Sequence, residues 1–380
     1  MRSKNTRSVW KHLLATTVVA MTFAPACEAQ QRGKLAEALL ERMDTDGDGR
    51  LSAQEWSKVR NRNRRGPEVD TAVPDQLKSL YKAQSGPHHI GSISSLKLSP
   101  SHREDGLPIR ITYPKSTGKF PVIVFAHGAY GSKDGYDPIV QHWAQHGYVV
   151  IQGTHPDSLS LLSAKEQLRV VTSLNPFRAM PIEKHWKTRA QDVAAILDSL
   201  SELAPMHAPL RGKMNLDQVG MGGHSFGGQT TQVIGGLNLG VDLKHDKPRA
   251  LLLLSPPGPN ALVRASAYAE MKRPVMTVTG SKDNMDLRNQ TYKDRLKTHE
   301  NIPSSDKLLL FMDDAEHNLG GVSGTVGRMS GGGANTTHLT CVKSATTAFW
   351  DHHLKSSREA KAFLKSGAIN KQTDGKAELR

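Results

Sequence analysis

Short apolar runs alternate with helical patterns from about residue 91 onward, and no other feature narrows the possible folds of this chain as much. Runs of this length suit strands that are buried on both faces of a sheet. Because helical patterns separate most of the runs, we predict an α/β domain: a mostly parallel sheet covered by helices on both faces. The first two runs are expected to pair as a hairpin. The predicted strands are residues 93–98, 109–113, 122–126, 149–152, 219–222, 250–254, 275–279 and 308–312, and the predicted helices are residues 138–145, 186–203, 227–237, 287–299 and 336–354.

The composition argues against nucleic-acid binding and against a cross-linked scaffold. The net charge is +14, but the basic residues are scattered and aromatic residues make up only 5 % of the chain. A nucleic-acid surface combines clustered basic residues with stacking aromatics, so no nucleic-acid partner is expected. The two cysteines, Cys27 and Cys341, allow at most one disulfide, which excludes a disulfide framework and a cysteine zinc site. The 380 residues suffice for one large domain and a small appended module.

Residues 1–29 have the three parts of a secretory signal peptide. Four basic residues among the first eleven precede an apolar run at residues 13–24, and small residues follow. The run is shorter than the ~20 residues that a membrane-spanning helix requires, so no transmembrane segment is expected in the mature chain. We therefore predict a secreted or periplasmic protein. Cleavage before Cys27 would give a lipoprotein, but Ala24 stands where leucine is usual in that signal.

Residues 44–55 match the twelve-residue calcium loop of an EF-hand. Carboxylates occupy loop positions 1, 3, 5 and 12, glycine occupies position 6 and leucine position 8. Helical patterns flank the loop, so residues 33–62 are predicted to form a helix-loop-helix module that binds Ca²⁺. No second loop is visible in the sequence, so the affinity is expected to be modest. The predicted ligands are the side chains of Asp44, Asp46, Asp48 and Glu55 and the backbone carbonyl of Arg50, with Ser52 contributing through water.

Residues 63–90 separate the two predicted modules. Four arginines and three prolines lie between residues 60 and 87, and little apolar periodicity is visible there. Such a composition is typical of a linker. The large domain is accordingly predicted to extend over residues 91–366.

A Gly-x-Ser-x-Gly motif occupies residues 223–227, directly after a predicted strand and at the start of a predicted helix. Strand, sharp turn and helix is the context in which such a serine acts as a nucleophile. Gly223 and Gly227 fit this turn because side chains at these positions would collide with neighbouring backbone. Ser225 is therefore the predicted nucleophile.

A serine hydroxyl is a weak nucleophile near neutral pH, so it requires a nearby base and a carboxylate that fixes the tautomer of that base. Asp283 and His317 follow Ser225 in the order that this motif predicts, and each lies just after a predicted strand. The carboxyl ends of parallel strands collect functional groups, so we predict Asp283 as the acid and His317 as the base. The rival candidates are His299 and His338 for the base and Asp286, Asp313 and Asp314 for the acid, none of which combines that order with a strand-end position.

The oxyanion that forms during acyl transfer requires preorganised N–H donors. One predicted donor is the backbone N–H of Phe226, the residue after the nucleophile. The other is the N–H of Ala129, in the His-Gly-Ala-Tyr-Gly loop at residues 127–131. Gly128 allows the backbone turn that would direct this N–H inward.

Together these segments resemble the bacterial α/β-hydrolases related to dienelactone hydrolases and to plasma-type platelet-activating-factor acetylhydrolases. The resemblance covers roughly residues 91–366 and implies an α/β-hydrolase fold. It also implies hydrolysis of a carboxylic ester, either a small molecule or a lipid, through a covalent acyl-serine. The segments that carry the resemblance are residues 125–128, 148–150, 222–228, 254–256, 279–283 and His317.

Two departures limit what the resemblance implies. Ser225 stands where dienelactone hydrolases proper have cysteine, so dienelactone is not the expected substrate. Ser255 and Pro256 occupy the place from which the acetylhydrolases take their acid. The acid therefore falls to Asp283, and phospholipid specificity is not transferred.

The sequence thus predicts an exported serine esterase with an appended calcium-binding module. Calcium is expected to be structural or regulatory, and catalysis is expected to need no cofactor. A rival hypothesis is a calcium-dependent binding or scaffold protein with an inactive hydrolase domain, but the complete set of Ser225, Asp283 and His317 favours an enzyme. An amidase or a thioesterase is the alternative among enzymes, because all acyl transfer can use such a triad.

Overall fold

The structure is a computed structural model that describes residues 73–173, 175–179, 182–260, 263–324 and 331–380. The chain divides into two compact units, one of residues 1–68 and 159–181 and the other of residues 69–158 and 182–380. Several predictions fall outside the described residues: the signal peptide at residues 1–29, the module at residues 33–62, the start of the linker, and the calcium ligands Asp44, Asp46, Asp48, Arg50 and Glu55.

Among the described residues, nine strands form one mixed sheet in the second unit. They are β1 (Ile90–Leu98), β2 (Leu107–Pro114), β3 (Phe120–Ala126), β4 (Val149–Gly153), β5 (Met214–His224), β6 (Ala250–Leu254), β7 (Val275–Lys282), β8 (Lys307–Glu316) and β9 (Ala377–Leu379). Their order in the sheet is β1-β2-β4-β3-β5-β6-β7-β8-β9. Strands β3 to β8 pair in parallel with one another, whereas β1 pairs antiparallel with β2, β2 with β4, and β8 with β9. The predicted mostly parallel sheet and its opening hairpin are confirmed.

Helices cover both faces of this sheet, because alternate residues of each central strand point to opposite faces. Ile123 and Phe125 of β3 belong to the hydrophobic cluster that includes the helices Asp137–Gln145 and Thr336–Lys355. Val122 and Val124 belong to the cluster that includes the helices Trp186–Asp198 and Phe226–Gly235. This arrangement is an α/β-hydrolase fold. The helices of this unit are α1 (Asp137–Gln145), α4 (Trp186–Asp198), α5 (Leu200–Met206), α6 (Phe226–Gly235), α7 (Tyr292–Asn301), α8 (Thr336–Lys355), α9 (Arg358–Lys365) and α10 (Ala368–Gln372).

The segment of residues 159–181 belongs to the other unit and contains α2 (Ala164–Thr172) and α3 (Pro176–Ala179). Helix α2 begins with a capping box. The Ser163 N–H donates to the Glu166 carboxylate at 3.0 Å, and the Glu166 N–H donates to the Ser163 hydroxyl at 3.4 Å. Across both units, no described helix is both long and apolar enough to cross a membrane.

The large domain extends beyond both of its predicted boundaries. Leu77 and Leu80 are buried, and the Tyr81 hydroxyl donates to the Asp351 carboxylate of α8 at 2.9 Å. The later part of the predicted linker therefore packs into the core. It contains a 3₁₀ turn at Asp75–Leu77, and its apolar residues belong to the same hydrophobic cluster as α8. At the other end, β9 adds a strand to the sheet after residue 366.

Candidate active site

Three predicted site residues lie at one edge of the sheet. Ser225 directly follows β5, Asp283 directly follows β7, and His317 directly follows β8. These three strands are parallel, so their carboxyl ends meet at the same edge. Asp283 is fully buried and only 4 % of His317 is exposed. The fold thus brings together side chains that are far apart in the sequence.

The turn at Ser225 is sharp and has an unusual backbone conformation. Ser225 has φ 55° and ψ −117°, a region that residues other than glycine rarely adopt. Its N–H donates to the Leu254 carbonyl at 2.8 Å. A Cβ on Gly223 would overlap the Gly227 carbonyl, and a Cβ on Gly227 would overlap the Ala126 carbonyl. The motif therefore needs both glycines for steric reasons, and the strained turn presents the serine hydroxyl.

Hydrogen bonds link the side chains of Asp283, His317 and Ser225 in series. His317 Nε2 lies 2.8 Å from Ser225 Oγ, and His317 Nδ1 lies 2.7 Å from Asp283 Oδ1. An ionised carboxylate only accepts, so the imidazole proton belongs on Nδ1. Nε2 is then free to accept the proton of the serine hydroxyl.

The rival acids and bases make other contacts. Asp286 is exposed in a short 3₁₀ turn, and Asp313 accepts from the Ser281 hydroxyl at 2.6 Å. His338 Nε2 lies 3.0 Å from the Asp313 carbonyl. Among the described residues, no rival forms a hydrogen bond to Ser225 or His317; the rivals are His299, His338, Asp286, Asp313 and Asp314.

Arg295 of α7 lies against the acid and the base, and sequence analysis did not identify it. Its Nε is 2.7 Å from Asp283 Oδ1, its Nη2 is 3.1 Å from His317 Nδ1, and its Nη1 donates to the Pro256 carbonyl at 2.9 Å. Burial alone would raise the pKa of Asp283, but Arg295 and then His317 hold that pKa well below its usual range. Asp283 therefore stays ionised near neutral pH.

The same surroundings keep His317 neutral. Burial lowers the pKa of His317, the Arg295 guanidinium lowers it further, and Asp283 offsets only part of this effect. The pKa of His317 consequently lies below the ordinary value for histidine. A neutral imidazole with Nε2 facing a hydroxyl can act as a general base.

The loop of residues 127–131 lies against Ser225. A Cβ on Gly128 would lie 3.4 Å from Ser225 Cβ and 3.3 Å from His224 Nδ1. Within the described part of the chain, neither the Ala129 N–H nor the Phe226 N–H donates a hydrogen bond. Both predicted oxyanion donors are thus near Ser225 and have no protein acceptor among these residues.

Tyr136 and His224 connect this loop to His317. The Gly128 N–H donates to Tyr136 Oη at 2.8 Å, Tyr136 Oη lies 2.9 Å from His224 Nδ1, and His224 Nε2 lies 2.8 Å from the His317 carbonyl. Because a carbonyl only accepts, Nε2 of His224 carries the proton and Nδ1 accepts from the tyrosine hydroxyl. Burial lowers the pKa of His224 to about 3, so the ring stays neutral. The position of His224 directly before the serine of the motif was the sequence signal that could have found it, whereas nothing marked Tyr136.

One group of metal-ligand type occurs among the described residues, and it lies away from this site. His353 Nδ1 is 3.9 Å from Asp306 Oδ2, and His352 is close to both. Asp306 directly precedes β8, at the opposite edge of the sheet from Ser225. This group therefore takes no part in the chemistry at Ser225.

Comparison with known proteins shows similarity to chlorophyllases. Residues 84–257 match the family model described as Chlorophyllase. The chain is 28 % identical over 123 residues to "Chlorophyllase-1" of Arabidopsis thaliana, which is 32 % of this chain and 31 % of that protein. It is also 28 % identical over 132 residues to "Chlorophyllase-1, chloroplastic" of Citrus unshiu and of Citrus sinensis, which is 35 % of this chain and 33 % of each relative.

These similarities cover only part of the relatives and only part of the proposed site. The matched part of the chain spans about a third of the length of these curated relatives. The family match includes Ser225 and the loop of residues 127–131, but it ends before Asp283 and His317. The resemblance to dienelactone hydrolases and platelet-activating-factor acetylhydrolases remains a prediction, as does export, and "chloroplastic" describes the two Citrus proteins.

Proposed function

We propose that the protein is a serine hydrolase that cleaves carboxylic esters through an acyl-serine intermediate. The observation that carries this proposal is the buried hydrogen-bonded line from Asp283 through His317 to Ser225. In this proposal Ser225 is the nucleophile, His317 is the general base and Asp283 orients the imidazole. Ala129 and Phe226 supply the two N–H donors of the oxyanion hole.

Acylation begins when Ser225 Oγ attacks the ester carbonyl carbon while its proton moves to His317 Nε2. The carbonyl oxygen becomes an oxyanion, which accepts hydrogen bonds from the Ala129 and Phe226 N–H groups. Asp283 is ionised and stabilises the imidazolium. The tetrahedral intermediate then breaks its bond to the alcohol oxygen, which takes the proton from Nε2 and leaves.

Deacylation repeats these steps with water as the nucleophile. His317 Nε2 removes a proton from water as the water oxygen attacks the acyl carbon, and the same donors stabilise the second oxyanion. Collapse breaks the bond to Ser225 Oγ, and the proton on Nε2 returns to the serine. The products are a carboxylic acid and an alcohol, and the enzyme is restored.

The similarity to chlorophyllases supports an ester over an amide or a thioester. The names of these relatives give chlorophyll as the compound on which they act, and chlorophyll is a carboxylic ester. The matched segment holds the proposed nucleophile and the loop of residues 127–131. The proposed substrate is therefore a small-molecule or lipid ester. Fluorophosphonate labelling of Ser225, followed by assays with p-nitrophenyl esters of graded acyl length, tests this proposal.

Activity is expected to rise with pH along a single acid limb, because only neutral His317 accepts the serine proton. Protonation at low pH removes the base, and the lowered pKa of His317 places the limb below the usual ~6.5 of histidine. The measurement is kcat/KM for a p-nitrophenyl ester between about pH 5 and about pH 9. In Arg295→Met the limb is expected to move to higher pH, because a nearby positive charge is removed. A flat profile for the natural protein contradicts the role of His317.

We also propose that Ca²⁺ binds the predicted loop and is not required for acyl transfer. Four carboxylates around a hard dication favour binding, whereas the mechanism at Ser225 uses only protein groups and water. Glu55→Gln is expected to weaken calcium binding strongly, as measured by titration calorimetry, while ester turnover stays within about twofold in the presence or absence of chelator. Equal calcium affinity in the variant refutes the loop assignment. Loss of most turnover on chelation shows that the loop and the active site are coupled.

A further inference from the structure

A buried ion pair lies beside the proposed oxyanion hole, and the mechanism above does not use it. Arg189 of α4 and Asp157 in the loop after β4 are both 0 % exposed, and Arg189 Nη1 donates to Asp157 Oδ1 at 2.6 Å. Burial alone would raise the pKa of Asp157, but Arg189, His127 and His155 together lower it. A buried pair pays a large desolvation cost, so its remaining polar atoms need hydrogen-bond partners. The other hydrogen-bond partners of Arg189 and Asp157 lie on the two segments that carry the proposed oxyanion donors.

On one side, the pair holds the two residues that flank the central part of the oxyanion loop. Arg189 Nη2 donates to the His127 carbonyl, and Asp157 Oδ2 accepts from the Tyr130 N–H at 3.3 Å. Tyr130 is in the left-handed region with φ 65°, which is unfavourable for a bulky residue. The pair thus fixes both ends of the short backbone segment that carries the Ala129 N–H.

On the other side, Arg189 holds the first turn of α6. Its Nε donates to Thr230 Oγ1 at 3.2 Å, and Thr230 Oγ1 donates to the Phe226 carbonyl at 3.1 Å. The guanidinium also lies 4.5 Å from the centre of the Phe226 ring, within cation–π range. One guanidinium therefore contacts the loop backbone at His127 and the side chains of Thr230 and Phe226 at the start of α6.

A second buried carboxylate, Asp192 on the same helix as Arg189, supports this arrangement. Asp192 Oδ2 lies 2.9 Å from His155 Nδ1, and the His155 N–H donates to His127 Nε2 at 3.0 Å. His127 Nδ1 then donates to the Gly128 carbonyl at 2.6 Å. Burial, and after it Arg189, lowers the pKa of His127 well below its usual range, so the ring stays neutral and keeps these roles. The loop is thus held through the side chain of His127 as well as through its backbone.

We propose that Arg189 and Asp157 are positioning residues that set the distance and direction of the Ala129 and Phe226 N–H groups toward the oxyanion. This inference rests on the proposed function. An oxyanion hole stabilises the transition state only when its donors are fixed in advance. Two donors on separate segments, one on a loop and one at the start of a helix, need a rigid connection. The guanidinium, whose three nitrogens donate to Asp157, Thr230 and the His127 carbonyl, provides that connection together with its carboxylate partner.

The test is a pair of variants assayed with a p-nitrophenyl ester. Arg189→Met combined with Asp157→Asn removes both charges together, so no unpaired charge is left buried. Arg189→Lys keeps the charge but loses the planar fork that reaches several partners. For both variants we expect kcat per active site to fall by on the order of 10²-fold. KM is expected to stay within about threefold and the pH of the acid limb to stay unchanged, because ground-state binding and His317 are untouched.

Active sites are counted by the final extent of fluorophosphonate labelling, so unfolded molecules do not enter kcat. Labelling is expected to become slower but to reach the same extent per folded molecule, because the phosphonyl oxygen occupies the oxyanion hole.

Asp351→Asn is the matched control. Its carboxylate is buried in another network, where it accepts from Tyr148 Oη at 2.6 Å, at the opposite edge of the sheet. This control is expected to lower Tm and to leave kcat per labelled site unchanged.

Three outcomes distinguish failure of the inference from failure of the proposed function. If Arg189→Lys and the double variant keep kcat per labelled site within about threefold of the natural protein while Tm falls as in Asp351→Asn, the pair is only structural and the inference is overturned. If the double variant does not fold, Arg189→Lys decides on the same criterion. If the natural protein is not labelled at Ser225, the proposed function itself fails, and the inference fails with it.

Discussion

Ser225→Ala is expected to abolish ester hydrolysis and to leave the fold intact. Alanine lacks the Oγ that accepts the acyl group, and losses of several powers of ten are typical when a triad nucleophile is removed. The substitution is small, and the surrounding glycines still allow the turn at φ 55°. Turnover of a p-nitrophenyl ester and thermal unfolding followed by circular dichroism measure the two effects.

Ser199→Ala is the control for this variant. Ser199 lies between α4 and α5, and its hydroxyl donates to the Ala195 carbonyl at 2.8 Å, so its loss should not change turnover. The assignment of Ser225 fails if Ser225→Ala keeps more than about a tenth of the natural activity, since a residual rate that high does not occur without the nucleophile.

Asp283→Asn is expected to reduce turnover by ~10⁴, because an amide can stabilise the wrong tautomer of His317 without moving the ring. The amide NH₂ can face Nδ1, which then carries no proton, and Nε2 loses its ability to accept from Ser225. The buried Arg295 also loses its ionised partner at 2.7 Å, so some loss of stability is expected as well.

Asp286→Asn is the matched control, because Asp286 was the nearby rival for the acid and is exposed. We expect its turnover to match that of the natural protein. If Asp286→Asn has the larger effect on kcat/KM, the acid has been assigned to the wrong residue. Thermal unfolding of both variants separates a chemical effect from loss of folded protein.

The sequence was sufficient to predict the central sheet because its strands are buried on both faces. Runs such as residues 122–126 and 250–254 have almost no polar residues, so their burial did not depend on knowing their neighbours. Segments with weaker periodicity were harder to predict. The helix predicted at residues 287–299 begins only at Tyr292, after a 3₁₀ turn at Asp286–Arg288.

The three residues at the strand ends could be predicted because the topology alone determines where they meet. Ser225, Asp283 and His317 each follow a parallel strand, so no side-chain detail was needed. Arg295 and Arg189 could not be found in this way. Each lies on a helix at a position where an arginine usually faces solvent, and only tertiary packing shows that it is buried against a carboxylate.

The position of Asp157 could be predicted from the sequence, but its ion pair could not. It follows the predicted strand at residues 149–152 closely enough that the strand-end argument applies to it as well. The sequence contained no sign of its partner, because Arg189 lies on a helix 32 residues further along the chain. Buried ion pairs of this kind are set by the three-dimensional fold and have no local sequence pattern.

The most direct test of the account is to find the acyl group during turnover. The natural protein is mixed with p-nitrophenyl acetate, quenched with acid within milliseconds, digested and examined by mass spectrometry. We expect a burst of p-nitrophenol and a peptide that contains Ser225 with one added acetyl group, both absent from Ser225→Ala. Turnover with the acetyl group on another residue, or with no acylated peptide at any quench time, would contradict the acyl-serine mechanism.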